Sequence, residues 1–260
     1  MTKVFFIGDI VGRPGRKIVK TFLQEVIAEE SINLVIANGE NAAGGFGINL
    51  EVARELLTAG IDVITMGNHT WDNKEIYKVL ETERRVIRPA NYPGGTPGEG
   101  FWVTETNKGF PVGVISLLGQ VFLDSLACPF LTADEHIDFL KKKTNIIIVD
   151  IHAEATSEKV ALGWYLDGRV TAVLGTHTHI TTADERILPK GTAYITDVGM
   201  TGPSNSVLGI DPDLVVKKFV TKMPVRFEVA SGPIELNGVI LDINDSGLAS
   251  GIKRVRRVIN

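Results

Sequence analysis

The chain has 260 residues, 44% hydrophobic and 22% charged, with a formal net charge of −4. Such a balance suits a globular protein with a sizeable core, and disfavours the broad basic face that stable binding to duplex nucleic acid needs. One cysteine, Cys128, excludes a disulfide framework and suits a reducing cytoplasm. No apolar run approaches the ~18 residues of a membrane helix. The apolar N-terminal stretch is broken by Asp9, too early for a secretory signal.

In chain order the sequence alternates buried strands, glycine-rich turns and helices. VFFIGDI (4–10) reads as a strand. A helix over 13–30 follows, with Ile18, Val19, Phe22, Leu23, Val26 and Ile27 at helical spacing. LVIANGE (34–40) is a second strand, 50–59 a helix stopped by Gly60, and DVITMGN (62–68) a third strand. Residues 101–119 read as a hairpin turning near Asn107-Lys108-Gly109. A helix over 132–143, the strand NIIIVDIH (145–152), a helix over 157–166 closed by Gly168, and the strand VTAVLGTH (170–177) come next. The tail carries shorter strands: 187–199, 224–230, 235–243 and 252–260. Strand–helix–strand units imply parallel sheet. With no linker or repeat, the pattern fits one domain spanning 1–260, with two mixed sheets packed face to face.

The polar residues fall at one recurring place. The strands end in Gly8-Asp9, Gly39-Glu40-Asn41, Gly67-Asn68-His69, Asp150-Ile151-His152 and Gly175-Thr176-His177-Thr178-His179. Ligands of open α/β sheets gather outside the carboxyl ends of strands, so these five ends can converge. Each residue alone has a plainer use. Asp9 could cap a helix, Glu40-Asn41 could serve a turn, Asn68-His69 could cap a helix start, and His152 could be a core histidine. His177 and His179, two apart, share a face on a strand. Burying such a group together is costly unless something pairs it, and a metal pair would. Carboxylate, amide and imidazole donors without thiolates suit Mn, Fe, Zn or Co. Two such ions about 3.5–4 Å apart, sharing a carboxylate and a hydroxide, generate a nucleophile at neutral pH and clamp a phosphoryl group.

GD (8–9), GEN (39–41), GNH (67–69), His152 and GTHTH (175–179) resemble the calcineurin-like metallophosphoesterases. More narrowly, GDIVGRPGR, ANGENAAGGFGI, TMGNHTWDN and LGTHTHI are similar to the YmdB-like bacterial branch. The resemblance covers nearly the whole chain, in order. It departs from the wider superfamily at Val11, where that pattern has a histidine, and at Glu40, where most members have Asp. In the YmdB-like branch Asn41 takes over a ligand position.

The resemblance implies a four-layer α/β/β/α sandwich and phosphodiester hydrolysis, with cyclic nucleotides such as 2′,3′-cyclic AMP as favoured substrates. It implies one metal on Asp9, Glu40, Asn41 and His179 and a second on Glu40, Asn68, His152 and His177, Glu40 bridging. Iron or manganese is the expected metal, with zinc as the alternative. His69 would be the general acid, a role that the ordinary near-neutral titration of histidine as a residue type suits. The expected partner is a small phosphodiester, with no duplex nucleic acid and no membrane; homo-oligomerisation stays open. Two other functions fit the same residues: a regulatory protein that binds metal and nucleotide with little turnover, and a phosphatase or nuclease acting on larger substrates.

Other features read more plainly. Glu154 falls in a solvated loop or lines the site. GGFGI (44–48) is either a flexible loop or a backbone anion nest. GRPGRK (12–17) lacks the spacing of a nucleotide-binding loop, Ile18 standing where Ser or Thr is required, though Arg13 or Arg16 could meet a phosphate. His136 is expected on the surface of its helix, Cys128 as a buried structural thiol, and KRVRR (253–257) as an exposed strand face.

Overall fold

The computed structural model describes residues 1–260. In chain order the first half comprises β1 (Thr2–Ile7), β2 (Asp9–Ile10), α1 (Gly12–Glu30), β3 (Leu34–Asn38), α2 (Leu50–Ala59), β4 (Val63–Thr65), a 3₁₀ turn (Asn68–Trp71), α3 (Ile76–Thr82), β5 (Val86–Ile87), β6 (Phe101–Glu105) and β7 (Pro111–Leu118). There follow α4 (Pro129–Leu140), β8 (Ile146–His152), α5 (Thr156–Leu166), β9 (Ala172–Thr176), β10 (Arg186–Ile187), β11 (Ala193–Ile195), β12 (Met200–Pro203), α6 (Pro212–Thr221), β13 (Ile234–Ile243) and β14 (Ala249–Ile259).

The strands form two mixed sheets. In the first, β1, β3, β4 and β5 run parallel, and β13 joins β1 antiparallel. One side of β13 pairs along its length with β14; the other pairs with β12 and then β1. In the second, β7, β8, β9 and β11 run parallel, flanked by antiparallel β6 and β10.

Three apolar clusters separate four layers. Phe5, Ile7, Val35 and Ala37 face α1, α2 and α3, whereas Val4, Phe6, Leu34 and Ile36 face the second sheet. On β8, Ile146 and Ile148 face the first sheet, and Ile147, Val149 and Ile151 face α4 and α5. Strands covered on both faces have no polar alternation, which explains their continuous apolar runs. The arrangement is the expected α/β/β/α sandwich.

Several expectations need correction. The run 4–10 is not one strand. At Gly8 it leaves β1, Gly8 N–H donates to the Asn237 carbonyl, and a Cβ there would overlap the Gly199 carbonyl, so β2 pairs with β12 instead. The runs 34–40, 62–68 and 170–177 leave the sheets at Asn38, Thr65 and Thr176, so their last residues lie in turns. The helix expected over 132–143 begins earlier, at Pro129, and ends at Leu140. The stretch 187–199 divides into β10 and β11 with a turn between. PVRFEVA (224–230) is not a strand; it contributes one isolated bridge, Ile210 to Val229. Helix α3 begins at Ile76, beyond the helix start that Asn68-His69 could cap, and α6 lies outside the expected elements. For α6 the local signal is Asp211-Pro212: the Asp211 carboxylate accepts from Asp213 N–H and Leu214 N–H, and Pro212 needs no hydrogen-bond partner at a first-turn position. Cys128 is half-buried, just ahead of α4, not in the core. His136 is half-buried too, its ring 5.0 Å from that of Phe101. KRVRR lies on β14, where Lys253, Arg254, Arg256 and Arg257 pair with Glu30, Glu185, Glu235 and Glu29, so most of its charge is answered locally.

Leu174, fully buried between the sheets, tests this packing. Leu174→Ala should lower the unfolding free energy by about 2–5 kcal/mol, read from urea denaturation, with no change in the slope of the transition.

Candidate metal centre

Because β1, β3 and β4 run parallel, and β7, β8 and β9 likewise, the carboxyl ends of each set gather at one edge. There the first sheet delivers Asp9, Glu40, Asn41, Asn68 and His69, and the second delivers His152, His177 and His179. Their ligand atoms form two clusters. Glu40, His152 and His177 bring ligand atoms within 4.8 Å of one another, and so do Asp9, Glu40 and His179. Glu40 belongs to both. Asn68 Oδ1 lies 2.9 Å from His152 Nε2, and Asn41 Oδ1 lies 3.3 Å from His179 Nε2. The seven side chains therefore lie together at one edge of the sandwich.

The two histidines of the last motif do not share a strand face as expected. β9 ends at Thr176, and His177 and His179 have φ of 97° and 65°, the left-handed region that non-glycine residues rarely enter. The chain bends at each histidine, which sends one imidazole to each cluster.

The electrostatics explain why a cation fits. Asp9 and His152 have no exposed surface and Glu40 has 1%. Burial raises the Asp9 carboxyl well above its ordinary range; His152 offsets part of this, and Asp197, Glu40 and Asp150 add to it. Burial opposes ionisation of Glu40 too, but the His152 charge and hydrogen bond, with the His69 N–H at 3.2 Å, bring it to about 2. His152 is raised to about 9 against its burial, by Glu40, Asp9 and Asp150. Burial and that neighbouring charge depress His177 to about 3. One imidazolium is thus the compensating charge among buried carboxylates. Asp9 Oδ1 remains without any hydrogen-bond partner. An orphaned carboxylate oxygen, a shared carboxylate and converging imidazoles are a donor set for transition-metal ions. Gly67 clears the room, since a Cβ there would overlap Glu40 Oε2 and the His152 ring.

Residues behind the ligands aim them. Thr176 Oγ1 donates to Asp150 Oδ1 at 2.7 Å and so can only accept from His152 Nδ1, 2.9 Å away. That fixes the proton on Nδ1 when His152 is neutral and leaves Nε2 free to face the cluster. Asp150 is also held by Thr65 Oγ1 at 2.5 Å and Asn38 Nδ2 at 3.0 Å. His177 Nδ1 faces His152, while its Nε2 lies 3.1 Å from Glu154 Oε2. Glu154 therefore borders the site, half-exposed, with its carboxylate on His177. His69 Nδ1 lies 2.7 Å from Asp72 Oδ2, and its ring meets Phe46 edge-on at 5.2 Å. GGFGI is the turn that brings Phe46 there. Arg16 is committed to Glu55 and the Ala42 carbonyl, so it is not free for a phosphate. Val11 packs against Gly202 and Gly209, filling the place of the superfamily histidine with apolar contact. Sequence reasoning missed Asp72, Asp150 and Thr176, whose only signals are His-x-x-Asp spacing and threonine or aspartate one or two residues from a ligand.

The fold and the paired clusters define a metallophosphoesterase-type protein. A family model described as YmdB-like protein matches residues 5–255, and the chain belongs to that family. The 2′,3′-cyclic-nucleotide 2′-phosphodiesterase of Bacillus subtilis is 51% identical over 99% of this chain and 97% of its own. A hypothetical protein from Thermus thermophilus superposes with a TM-score of 0.93 at 43% identity, over 99% of both chains. A structure titled a novel phosphatase from Mycoplasma pneumoniae gives 0.92 at 38% identity, over 99% of this chain and 93% of that one.

Gly67→Ala places a methyl group against Glu40 and His152. Elemental analysis of the purified variant should show metal content well below that of the unaltered protein; equal content would mean that the two clusters are not where ions bind.

Proposed function

We propose that the protein is a dimetal phosphodiesterase acting on small phosphodiesters, cyclic nucleotides such as 2′,3′-cyclic AMP foremost. The observation that carries this reading is Glu40, one carboxylate common to two ligand clusters. One ion would be held by Asp9, Glu40, Asn41 and His179, and the other by Glu40, Asn68, His152 and His177. Iron or manganese suits these nitrogen and oxygen donors, and zinc is compatible with them. When bound, the ions supply Lewis acidity toward the phosphoryl oxygens and activate water at neutral pH. The Bacillus protein's activity and its 51% identity support the substrate class. The single cysteine supports a cytoplasmic setting. No helix is long and apolar enough to cross a membrane.

His69 acts on the leaving group. Asp72 takes its Nδ1, so Nε2 is the nitrogen that carries a proton to the departing ribose oxygen. Its backbone N–H donates to Glu40, which ties the acid's position to the shared ligand. Phe46 shields one edge of the imidazole and limits its rotation. The asparagines and neutral imidazoles add donors without adding negative charge. With Asp9 and Glu40 as the only anionic ligands, the loaded site would stay positive toward an anionic phosphate.

Two sets of variants test this. Asp9→Asn and Glu40→Gln should lose metal and turnover together, by elemental analysis and by hydrolysis of 2′,3′-cyclic AMP. His69→Ala should keep its metal and lose turnover by about 10²–10⁴-fold. A metal-loaded His69→Ala protein that turns over normally would remove the acid role. Two metals per unaltered chain with no hydrolysis of this substrate, or of a generic activated phosphodiester, would favour the regulatory binding protein.

Chelation should lower the melting temperature, and Mn²⁺ should restore it in a concentration-dependent way, because an ion that binds only the folded chain stabilises it by mass action. A melting temperature indifferent to both would contradict the cation site.

A further inference from the structure

The molecule has one fully buried lysine, and it lies beneath the loop that carries His177 and His179. Lys159, on α5, and Asp197, just after β11, are both without exposed surface. Lys159 Nζ donates to Asp197 Oδ2 at 2.7 Å and to the Thr176 carbonyl at 2.7 Å. Asp197 Oδ2 also accepts from Thr178 N–H at 3.0 Å and from Thr178 Oγ1–H at 2.7 Å, while Oδ1 accepts from Gly199 N–H at 2.8 Å. Thr178 stands between the two histidines. The lysine stem reaches this position past Gly175, where a Cβ would press on Lys159 Cδ and on the Thr196 carbonyl.

A buried ion pair is a poor source of stability, because dehydrating both charges offsets most of their attraction; an apolar pair of similar volume often does as well. What this pair does is grip a backbone. Thr176, Thr178 and Gly199 are all bound to it, and the two residues flanking Thr178 hold left-handed conformations that an L-residue leaves unless it is restrained. Released, the bends at His177 and His179 would relax, and the two imidazoles would no longer part toward different clusters.

We infer that Lys159 and Asp197, acting through Thr178, are positioning residues that lock the loop 176–179 in the shape presenting one histidine to each cation site. The loop geometry stands on its own; the consequence for cations rests on the dimetal reading.

The test uses the full-length chain and Mn²⁺. Wild type, Lys159→Met and Thr178→Val are compared by calorimetric titration with Mn²⁺, and by amide hydrogen exchange of the segment 173–182 without metal. Lys159→Met should exchange faster in that segment and bind Mn²⁺ about 10–100-fold more weakly. Thr178→Val leaves the ion pair intact and removes one hydroxyl bond. It should move both readings in the same direction by a smaller amount, and it carries the test if Lys159→Met does not fold. Variants that melt lower yet keep wild-type Mn²⁺ affinity and wild-type exchange would overturn the inference, since that is what a purely structural pair would give. If wild type itself takes up no Mn²⁺, the dimetal reading fails. The exchange arm then decides the locking role: unchanged exchange in both variants overturns it, and faster exchange confined to the loop supports it.

Discussion

Four carboxylates, those of Asp9, Glu40, Asp150 and Asp197, are buried near one end of the sandwich, beside its apolar core. Removing them from water is the largest electrostatic demand in the molecule, and the surroundings are arranged to meet it. Asp197 is answered by Lys159. Asp150 is answered by two side-chain hydroxyls and an amide. Asp9 and Glu40 lie on either side of the His152 ring, and a proton on that ring offsets their charge. A cation pair would replace that proton, and folding and metal binding would then draw on the same charges.

The sandwich makes such a centre possible by stopping its strands early. His152 is the last residue of β8 and still paired, and Asp9 lies on β2 against β12, but Glu40, Asn41, Asn68, His177 and His179 follow the ends of their strands by one to three residues, where the backbone is free to turn while the strand behind it stays fixed by packing on both faces. Gly8, Gly67 and Gly175 matter for what they leave out: a side chain at any of them would occupy space held by a carbonyl, a ligand or the lysine stem. The same logic explains Val11. Where the wider superfamily pattern has a histidine, this chain packs a valine against Gly202 and Gly209, and the Asn41 amide of the next motif lies beside His179.

Much of this was legible before any coordinates. Continuous apolar runs ending in glycine and a polar residue located five ligand-bearing corners, because burial on both faces erases alternation and leaves punctuation as the only break. The grouping of ligands came from resemblance, not from spacing, and spacing gave the wrong reason for the two histidines: it assumed a strand where the chain bends twice. Helix α6 was missed because only Val215 on it is buried, so its apolar pattern does not mark a core face. Lys159 and Asp197 were invisible for a different reason. Partners 38 positions apart carry no local signature, and a lysine on a helix reads as solvent-facing until its burial is known.

Each of the two clusters draws on both sheets: Asp9 and Glu40 come from the first, and His152, His177 and His179 from the second. Neither sheet by itself offers more than a fragment of a binding site. Two cations held there would act as a staple across the sandwich, joining residues as distant in the chain as Asp9 and His177, 168 positions apart, at the end where the apolar layer between the sheets gives way to charge. On the dimetal reading, a chain with misdocked sheets would fail to hold metal before it lost its secondary structure. Metal retention would then report on the docking of the two halves rather than on the presence of the ligands.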